Sequence, residues 1–132
     1  MAAVLDTHAA IWYLLDAKSL SPTAALLIDE AAEKGSPAYL PSISLVEVVY
    51  LVERGRLPAK ALDSLLGRLA GSKPAFSVVP LDSGVAEAVR RIPRTVVPDM
   101  PDRIIAATAL HLDLPLITRD QRIRSAGIKT IW

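Results

Sequence analysis

The chain has 132 residues and a formal net charge of +1, and 52% of its residues are hydrophobic while 22% are charged. These proportions predict a single globular domain over residues 1–132 and exclude an intrinsically disordered chain. The sequence contains no cysteine, which excludes disulfides, thiolate zinc sites and cysteine nucleophiles.

Strand and helix patterns alternate along the chain. In chain order, the predicted strands are short apolar runs at residues 2–5, 38–40, 76–79, 116–118 and 128–131. This alternation requires right-handed crossovers and favours a parallel sheet that is covered on both faces. The predicted fold is therefore α/β, a three-layer α/β/α sandwich around a Rossmann-like, five-stranded and mainly parallel sheet.

Capping residues and glycines predict the helices between these strands. A helix opens at Ser21–Pro22 and ends at Gly35. Ser44 is predicted to open the next helix, which Gly55 closes. Further helices are predicted from Pro58 to about Gly71, from a Ser83 cap to Pro93, and from Asp102 to His111. The last of these is apolar on most sides, which indicates a buried helix.

Four acidic residues lie where solubility alone would not place them. Asp6 ends an apolar strand, and Glu47 lies within the apolar run 45–49. Asp102 begins the apolar helix, and Asp120 follows the fourth strand. Ligands of open parallel sheets bind beyond the carboxyl ends of the strands. Carboxylates that converge there repel one another until a cation neutralises them, and such hard oxygen ligands suit Mg²⁺ or Mn²⁺.

Each of these acids also has a structural interpretation as part of a helix cap. Ser44 and Glu47 have the spacing of a capping box. Asp99 and Asp102 have the spacing of an N-cap followed by a first-turn acid. Asp6 and Asp120 would each cap the helix or turn that follows. A shared site is the favoured explanation because four unrelated caps would not be expected at one edge of a sheet, and a cap can also be a ligand.

Four ordered segments resemble the PIN-domain family and, within it, the VapC toxins of bacterial toxin–antitoxin pairs. The segments are residues 4–8 (VLDTH), 42–47 (SISLVE), 99–109 (DMPDRIIAATA) and 116–120 (LITRD). Their order and spacing match from residue 2 to the C-terminus. One departure is Met100-Pro101, where the resemblance leads us to expect an aromatic residue between the two acids.

The resemblance implies a PIN-like fold, with the first strand central in the sheet, and the activity of a metal-dependent endoribonuclease. Asp6 and Asp102 would be the principal ligands of Mg²⁺ or Mn²⁺, and Asp120 would complete the site directly or through water. Glu47 would bind a second ion or orient the attacking water. The accessory residues would be Thr7, Ser44, Asp99 and Thr118, with a capping role favoured for Ser44.

The expected chemistry is attack of a metal-activated water on phosphorus, which leaves a 5′-phosphate and a 3′-hydroxyl. Arg103 and Arg119 lie beside two of the acids and would bind phosphate. For Arg103, a salt bridge to Asp99 or another acid is an equal alternative. His8 follows the first acid and could serve as a base, although polar cover is the favoured role for it, and His111 is interpreted as structural. The aromatic residues Trp12 and Tyr13 are interpreted as core or dimer contacts rather than as platforms for bases.

The expected partners are an RNA substrate, a VapB-like antitoxin that fills the acidic groove, and a second copy of the chain in a homodimer. Residues 1–89 hold seven basic and ten acidic residues, whereas residues 90–132 hold eight basic and four acidic ones. The balance changes from −3 to +4, which weakly favours a polyanionic partner. The N-terminus lacks the features of a signal peptide and no apolar run spans a bilayer, so a cytoplasmic location without membrane contact is expected.

Three other functions are alternatives to the RNA-cutting toxin. A phosphatase would need a second Asp two residues after the first, and His8 stands there. A receiver-type signalling domain expects a Lys after the last strand, where this chain ends at Trp132. A catalytically inactive PIN-like module for RNA binding or regulation is the main alternative, although four intact acids argue against it.

Overall fold

A computed structural model describes residues 2–71 and 74–132 and forms one five-stranded parallel sheet with helices on both faces. The strands are β1 (Ala3–Leu5), β2 (Ala38–Pro41), β3 (Phe76–Val79), β4 (Leu116–Ile117) and β5 (Thr130–Ile131). The helices are α1 (Thr7–Leu14), α2 (Pro22–Glu33), α3 (Ser42–Glu53), α4 (Ala59–Leu69), α5 (Ser83–Ala88), α6 (Met100–Leu112) and α7 (Gln121–Ser125). A 3₁₀ turn at Val89–Arg91 extends α5.

The strand order is β3-β2-β1-β4-β5, and every neighbouring pair is parallel. The chain builds outward from β1 in one direction and then continues with β4 and β5 on the other side. The strand order therefore reverses at β1, and the crevice beyond its carboxyl end is where open α/β sheets bind ligands. This topology confirms the predicted α/β class and the central first strand.

Two hydrophobic clusters cover the two faces of the sheet. Ala3 and Leu5 of β1 point into a cluster that includes Ile28 of α2 and Leu65 of α4. Val4, between them, points into the opposite cluster with helix α6. Successive side chains of a strand alternate between faces, so a three-residue apolar strand contributes to both cores. The predicted three-layer arrangement follows from this alternation.

The predicted helix starts are correct in part. Ser21 caps α2 by accepting a hydrogen bond from the Ala24 N–H at 3.1 Å. The predicted start of α3 at Ser44 is wrong, because the helix begins at Ser42 behind Pro41 and has no side-chain cap. The prediction that Ser83 caps α5 is also wrong, because Asp82 accepts the Val85 N–H.

Helix α6 begins two residues earlier than the sequence predicts. Asp99 is its N-cap and accepts the Asp102 N–H at 3.1 Å, so the predicted pairing of a cap with a first-turn acid is confirmed. Pro101 lies in the first turn, where a missing N–H costs nothing. Across the described part of the chain, no helix combines the length and apolar character that a membrane crossing requires.

Candidate active site

Two of the predicted site acids lie at the carboxyl edge of neighbouring central strands. Asp6 follows β1 and caps α1, and its carboxylate accepts the Ala9 N–H at 2.7 Å. Asp120 lies beyond β4 and caps α7, and its carboxylate accepts the Arg122 N–H at 2.9 Å. Because β1 and β4 are hydrogen-bonded neighbours, the two caps come together at the point where strand order reverses.

A single pocket of about 350 Å³ is lined by Asp6, Asp102 and Asp120. Helix α6 places Asp102 opposite the two strand-end acids, since the acid lies in the first turn of that helix. The other residues that line this pocket are His8, Trp12, Arg119, Arg122 and Ile123. Three acids that are 96 and 18 residues apart in sequence thus face one space, and all three are only partly exposed.

Glu47 approaches the cluster from the other side of His8. It lines a neighbouring groove that also contains Thr7, His8 and Met100. Burial raises its pKa, and the negative charges of Asp99 and Asp6 add to the rise, so Glu47 lies close enough to the other acids to be repelled by them. The structure therefore brings all four predicted acids into one electrostatic cluster that spans two adjoining pockets.

The pKa values of three of these acids are raised by their surroundings. Burial and the charges of Asp99, Asp120 and Glu47 raise the pKa of Asp102 from 3.8 to about 7. Burial also raises the pKa of Asp6 and the pKa of Glu47. Partly desolvated carboxylates that repel one another favour the protonated form, and clusters of such groups are typical of functional sites.

Glu47 is held by a hydrogen-bonded chain that sequence spacing did not reveal. The Thr7 hydroxyl donates to the Glu47 carboxylate at 2.5 Å, and a hydrogen bond of 2.9 Å joins the hydroxyls of Thr7 and Ser44. Thr7 and Ser44 are both buried. Ser44 therefore supports Thr7 from inside α3, which corrects the capping role favoured from the sequence. The Thr7 hydroxyl accepts a hydrogen bond from Ser44 and donates its single hydrogen to Glu47. These two hydrogen bonds fix the position of the Glu47 carboxylate.

Thr118 and Asp99 support the acids in different ways. The buried Thr118 hydroxyl accepts the Asp120 N–H at 3.0 Å. The same hydroxyl favours the charged form of Asp6 and so opposes the effect of burial on its pKa. Asp99 is exposed and acts through the α6 cap and through its charge. Both residues therefore influence the cluster from its border.

The two arginines singled out in the sequence have different surroundings. The Arg103 guanidinium donates to the backbone carbonyls of Ile92 and Val89 at 2.8–3.1 Å. Within residues 2–71 and 74–132 it forms no salt bridge, so the predicted alternative of a salt bridge to Asp99 or another acid is wrong, and phosphate binding by Arg103 stays a prediction. Arg119 lies on the pocket rim with its Cζ 4.6 Å from the centre of the Trp12 ring.

Arg122 is a pocket residue that the sequence analysis did not single out. Its guanidinium lies 3.2 Å from the Asp120 carboxylate, and its charge opposes part of the rise that burial and the neighbouring acids cause in the pKa of Asp102. The signal available in the sequence was its position two residues after Asp120, on the first turn of the short helix α7. Such spacing is too common to indicate an ion pair by itself.

The remaining residues have structural surroundings. Trp12 and Tyr13 of α1 are partly buried and pack against one of the two core clusters. The Tyr13 hydroxyl donates to Asp29 at 2.6 Å. His111 lies so close to Gly84 of α5 that an added Cβ there would come within 2.6 Å of its ring. These contacts agree with the predicted core roles of the aromatic residues and the structural role of His111.

The donor set of the cluster suits a hard divalent cation. Its acids offer carboxylate oxygens, which Mg²⁺ and Mn²⁺ prefer. A cation among them would offset the burial and the repulsion that together raise the pKa of Asp102. Among residues 2–71 and 74–132, no three His, Asp or Glu side chains stand close enough together to form a ready ligand cage. The residues therefore fit such an ion in chemistry, and binding would require the side chains to move closer.

Two comparisons place this chain among known sequences. A model of the PIN-domain family matches residues 3–129. The curated protein ribonuclease VapC22 of Mycobacterium tuberculosis is 32% identical over 123 residues, which cover 92% of this chain and 89% of that protein.

Solved structures show the same architecture. VapBC2 from Rickettsia felis, solved with a promoter DNA fragment, gives a TM-score of 0.75 at 14% identity and covers 99% of this chain and 98% of that chain. FitAcB from Neisseria gonorrhoeae gives a TM-score of 0.67 at 26% identity, with coverage of 100% and 97%. At 14% identity the first likeness concerns the fold alone.

Proposed function

Because this chain belongs to the PIN-domain family, and is of the VapC type, we propose that it is a metal-dependent endoribonuclease and the toxin of a type II toxin–antitoxin pair. The observation that carries the proposal is the convergence of Asp6, Asp102 and Asp120 on one pocket. The similarity to a relative named as a ribonuclease supports RNA as the substrate.

The proposed ligands of the cation are the carboxylates of Asp6, Asp102 and Asp120, with Glu47 beside them. A bound Mg²⁺ or Mn²⁺ supplies Lewis acidity, which lowers the pKa of water and stabilises negative charge on phosphate oxygens. Asp6 is fixed for this role by the Ala9 N–H. Glu47 is fixed by Thr7. Second hydrogen bonds of this kind orient ligands and tune their basicity.

Basic side chains at the rim of the acid pocket would bind the phosphates of the substrate. Arg119 and Arg122 are exposed and line the pocket whose floor holds the acids. Of the two, Arg122 is engaged with Asp120, which leaves Arg119 as the cation better placed to bind a phosphate. The reaction at the acids would cleave the phosphodiester by in-line attack of water and release a 3′-hydroxyl.

The partners that fit this function are a VapB-like antitoxin and a second copy of the chain. An antitoxin would have to cover the acid cluster, and the groove beside Glu47 offers the exposed apolar side chains of Val46, Tyr50 and Met100 for that contact. A toxin that acts on RNA inside its own cell belongs in the cytoplasm.

Incubation of the purified protein with single-stranded RNA and Mn²⁺ tests the proposed activity. We expect cleavage that a chelator abolishes and that Asp6→Asn lowers by about 10³-fold, which corresponds to about 4 kcal/mol of transition-state stabilisation. Asp63→Asn is the matched control, because Asp63 is an exposed acid of α4 outside the pocket.

The outcome also separates an enzyme from an inactive RNA-binding module. Equal cleavage by the wild-type protein and Asp6→Asn would identify a contaminating nuclease and contradict the proposed site. RNA binding without metal-dependent cleavage would favour the inactive module. Product ends can be read directly: a 5′-phosphate is expected, and a 2′,3′-cyclic phosphate would contradict attack by water.

A further inference from the structure

Trp12 and Arg119 form a cation–π pair on the rim of the acid pocket. The Arg119 Cζ lies 4.6 Å from the centre of the Trp12 ring. Both residues line the same pocket as Asp6, Asp102 and Asp120. A cation over an aromatic face is attracted by the ring quadrupole, and this attraction does not use the N–H donors of the guanidinium as hydrogen bonds would.

Arg119 does not join the ion pairs of the cluster, although Asp120 is its neighbour in sequence. Arg122 pairs with Asp120 instead. In the described part of the chain, neither a hydrogen bond nor a salt bridge to Arg119 is found. Its five N–H donors are therefore free to bind an anion, and an arginine presents them in a planar fork that matches phosphate.

Trp12 provides a fixed support for this guanidinium. Its ring packs against the core cluster on the α1 side of the sheet. The ring of Trp132 meets it edge-on at 5.8 Å, and the ring of His8 lies 5.5 Å away. A side chain held from several directions loses little freedom when it binds a cation, so Trp12 can hold Arg119 above the acids rather than among them.

We propose that Trp12 and Arg119 form a subsite for the RNA phosphate next to the one that is cut, with Trp12 as the positioning residue for Arg119. The proposal rests on the proposed function, because it takes single-stranded RNA as the ligand. The cut phosphate has to meet the acids on the pocket floor. Arg119, held by Trp12 on the pocket rim, would bind the next phosphate along the RNA strand.

Binding of a short fluorescein-labelled single-stranded RNA, measured by anisotropy over a series of salt concentrations, tests the subsite. All variants are made in an Asp102→Asn background with chelator present, so that cleavage does not interfere. Arg119→Gln is expected to weaken binding about tenfold and to reduce the slope of log K against log salt by about 0.7. Arg90→Gln is the control, since Arg90 is an exposed arginine paired with Glu87.

Variants of Trp12 then test the positioning role. Trp12→Leu is expected to reproduce the loss seen in Arg119→Gln, whereas Trp12→Phe, which keeps an aromatic face, is expected to bind within about threefold of the parent. The double variant of Trp12→Leu and Arg119→Gln should be no weaker than Arg119→Gln alone, because the two residues act as one unit. Circular dichroism and thermal unfolding check that each variant is folded.

Two results would overturn the subsite. One is an Arg119→Gln variant with the affinity and salt slope of Arg90→Gln. The other is a double variant that binds more weakly than Arg119→Gln, which would mean that Trp12 contacts RNA itself. These outcomes are independent of the cleavage assay: absence of metal-dependent cleavage contradicts the proposed function, while the salt slope still decides whether Arg119 binds an RNA phosphate.

Discussion

The start of α6 (residues 99–103) and the turn between β4 and α7 (residues 118–122) both place arginines beside acids, but they use them differently. At the start of α6, Arg103 turns toward the carbonyls of Val89 and Ile92. Asp102 is thus left partly buried beside like charges, and burial together with those charges raises its pKa to about 7. In the β4–α7 turn, Arg122 instead pairs with Asp120.

The two arginines therefore have different roles: Arg103 supports the backbone, and Arg122 compensates the charge of a site acid. Arg103 satisfies backbone carbonyls of the 3₁₀ segment and of the residue that follows it, so its cation stabilises the fold. Arg122 is exposed and stabilises an acid of the site. An arginine next to an acid in sequence therefore does not indicate an ion pair, and the uncompensated acid is the one that would gain most from a bound cation.

The largest expected effect is on the rate of RNA cleavage when Asp102 or Asp120 is replaced. Asp102→Asn is expected to lower the RNA cleavage rate by about 10³-fold, and Asp120→Asn by about 10- to 100-fold. The physical reason is that, among the residues that the structure describes, no compensating cation lies as close to Asp102 as Arg122 lies to Asp120. Initial rates in saturating Mn²⁺ measure both. An Asp120 variant as inactive as the Asp102 variant would remove the proposed difference between the regions.

The next effect concerns the stability that the two arginines supply. Arg103→Gln is expected to lower the free energy of unfolding by about 2 kcal/mol, because it removes charged hydrogen bonds to backbone carbonyls. Arg122→Gln is expected to leave the denaturation midpoint unchanged, because the ion pair is exposed to solvent. Urea unfolding compares the two, and an equal loss in both variants would contradict the supporting role of Arg103.

A pH-dependent gain in stability is expected for Asp102→Asn in the metal-free protein. The folded pKa is raised from 3.8 to about 7, so the wild type loses stability as the pH rises through this window and then levels off. The variant has no charge to bury. Its gain should be absent near pH 4 and about 1 kcal/mol at pH 8, since solvent screens a half-buried carboxylate.

Thermal unfolding with and without Mg²⁺ is the matching measurement. Added Mg²⁺ should stabilise the wild type more than the variant, because a ligand that binds only the folded state raises its stability. The gain of the variant over the wild type should therefore shrink when the ion is present. A gain of the same size at pH 4 and pH 8 would point to a cause other than the carboxylate charge.

The smallest effect is expected at Asp99. Asp99→Asn keeps an N-cap side chain for α6 and is expected to change the free energy of unfolding by less than about 0.5 kcal/mol, whereas Asp99→Ala should cost about 1 kcal/mol. Both variants remove a charge that raises the pKa of Asp102. Cleavage rates within about threefold of the wild type would support a role outside the ligand set, and a loss like that of Asp102→Asn would contradict it.

Much of the fold could be predicted because apolar periodicity and local capping are properties of short segments. The run before Asp6 and the alternation of strands and helices sufficed for the parallel sheet. The cap at Asp99 was predictable because an N-cap and its N–H donor are three residues apart. The wrong start of α3 arose from the same rule, since Ser44 and Glu47 have the spacing of a capping box but form another contact.

By itself, the sequence determined the α/β architecture, the acids at the strand ends and the resemblance to one family, because each depends on short-range pattern or on ordered motifs. The tertiary structure alone decided which partner each side chain of the site contacts. Thr7 donates a hydrogen bond to Glu47 across 40 positions of the chain, and the Arg119 guanidinium lies over the Trp12 ring across 107. Such partners depend on how helices pack around the sheet, and packing joins residues whose distance along the chain carries no information about contact.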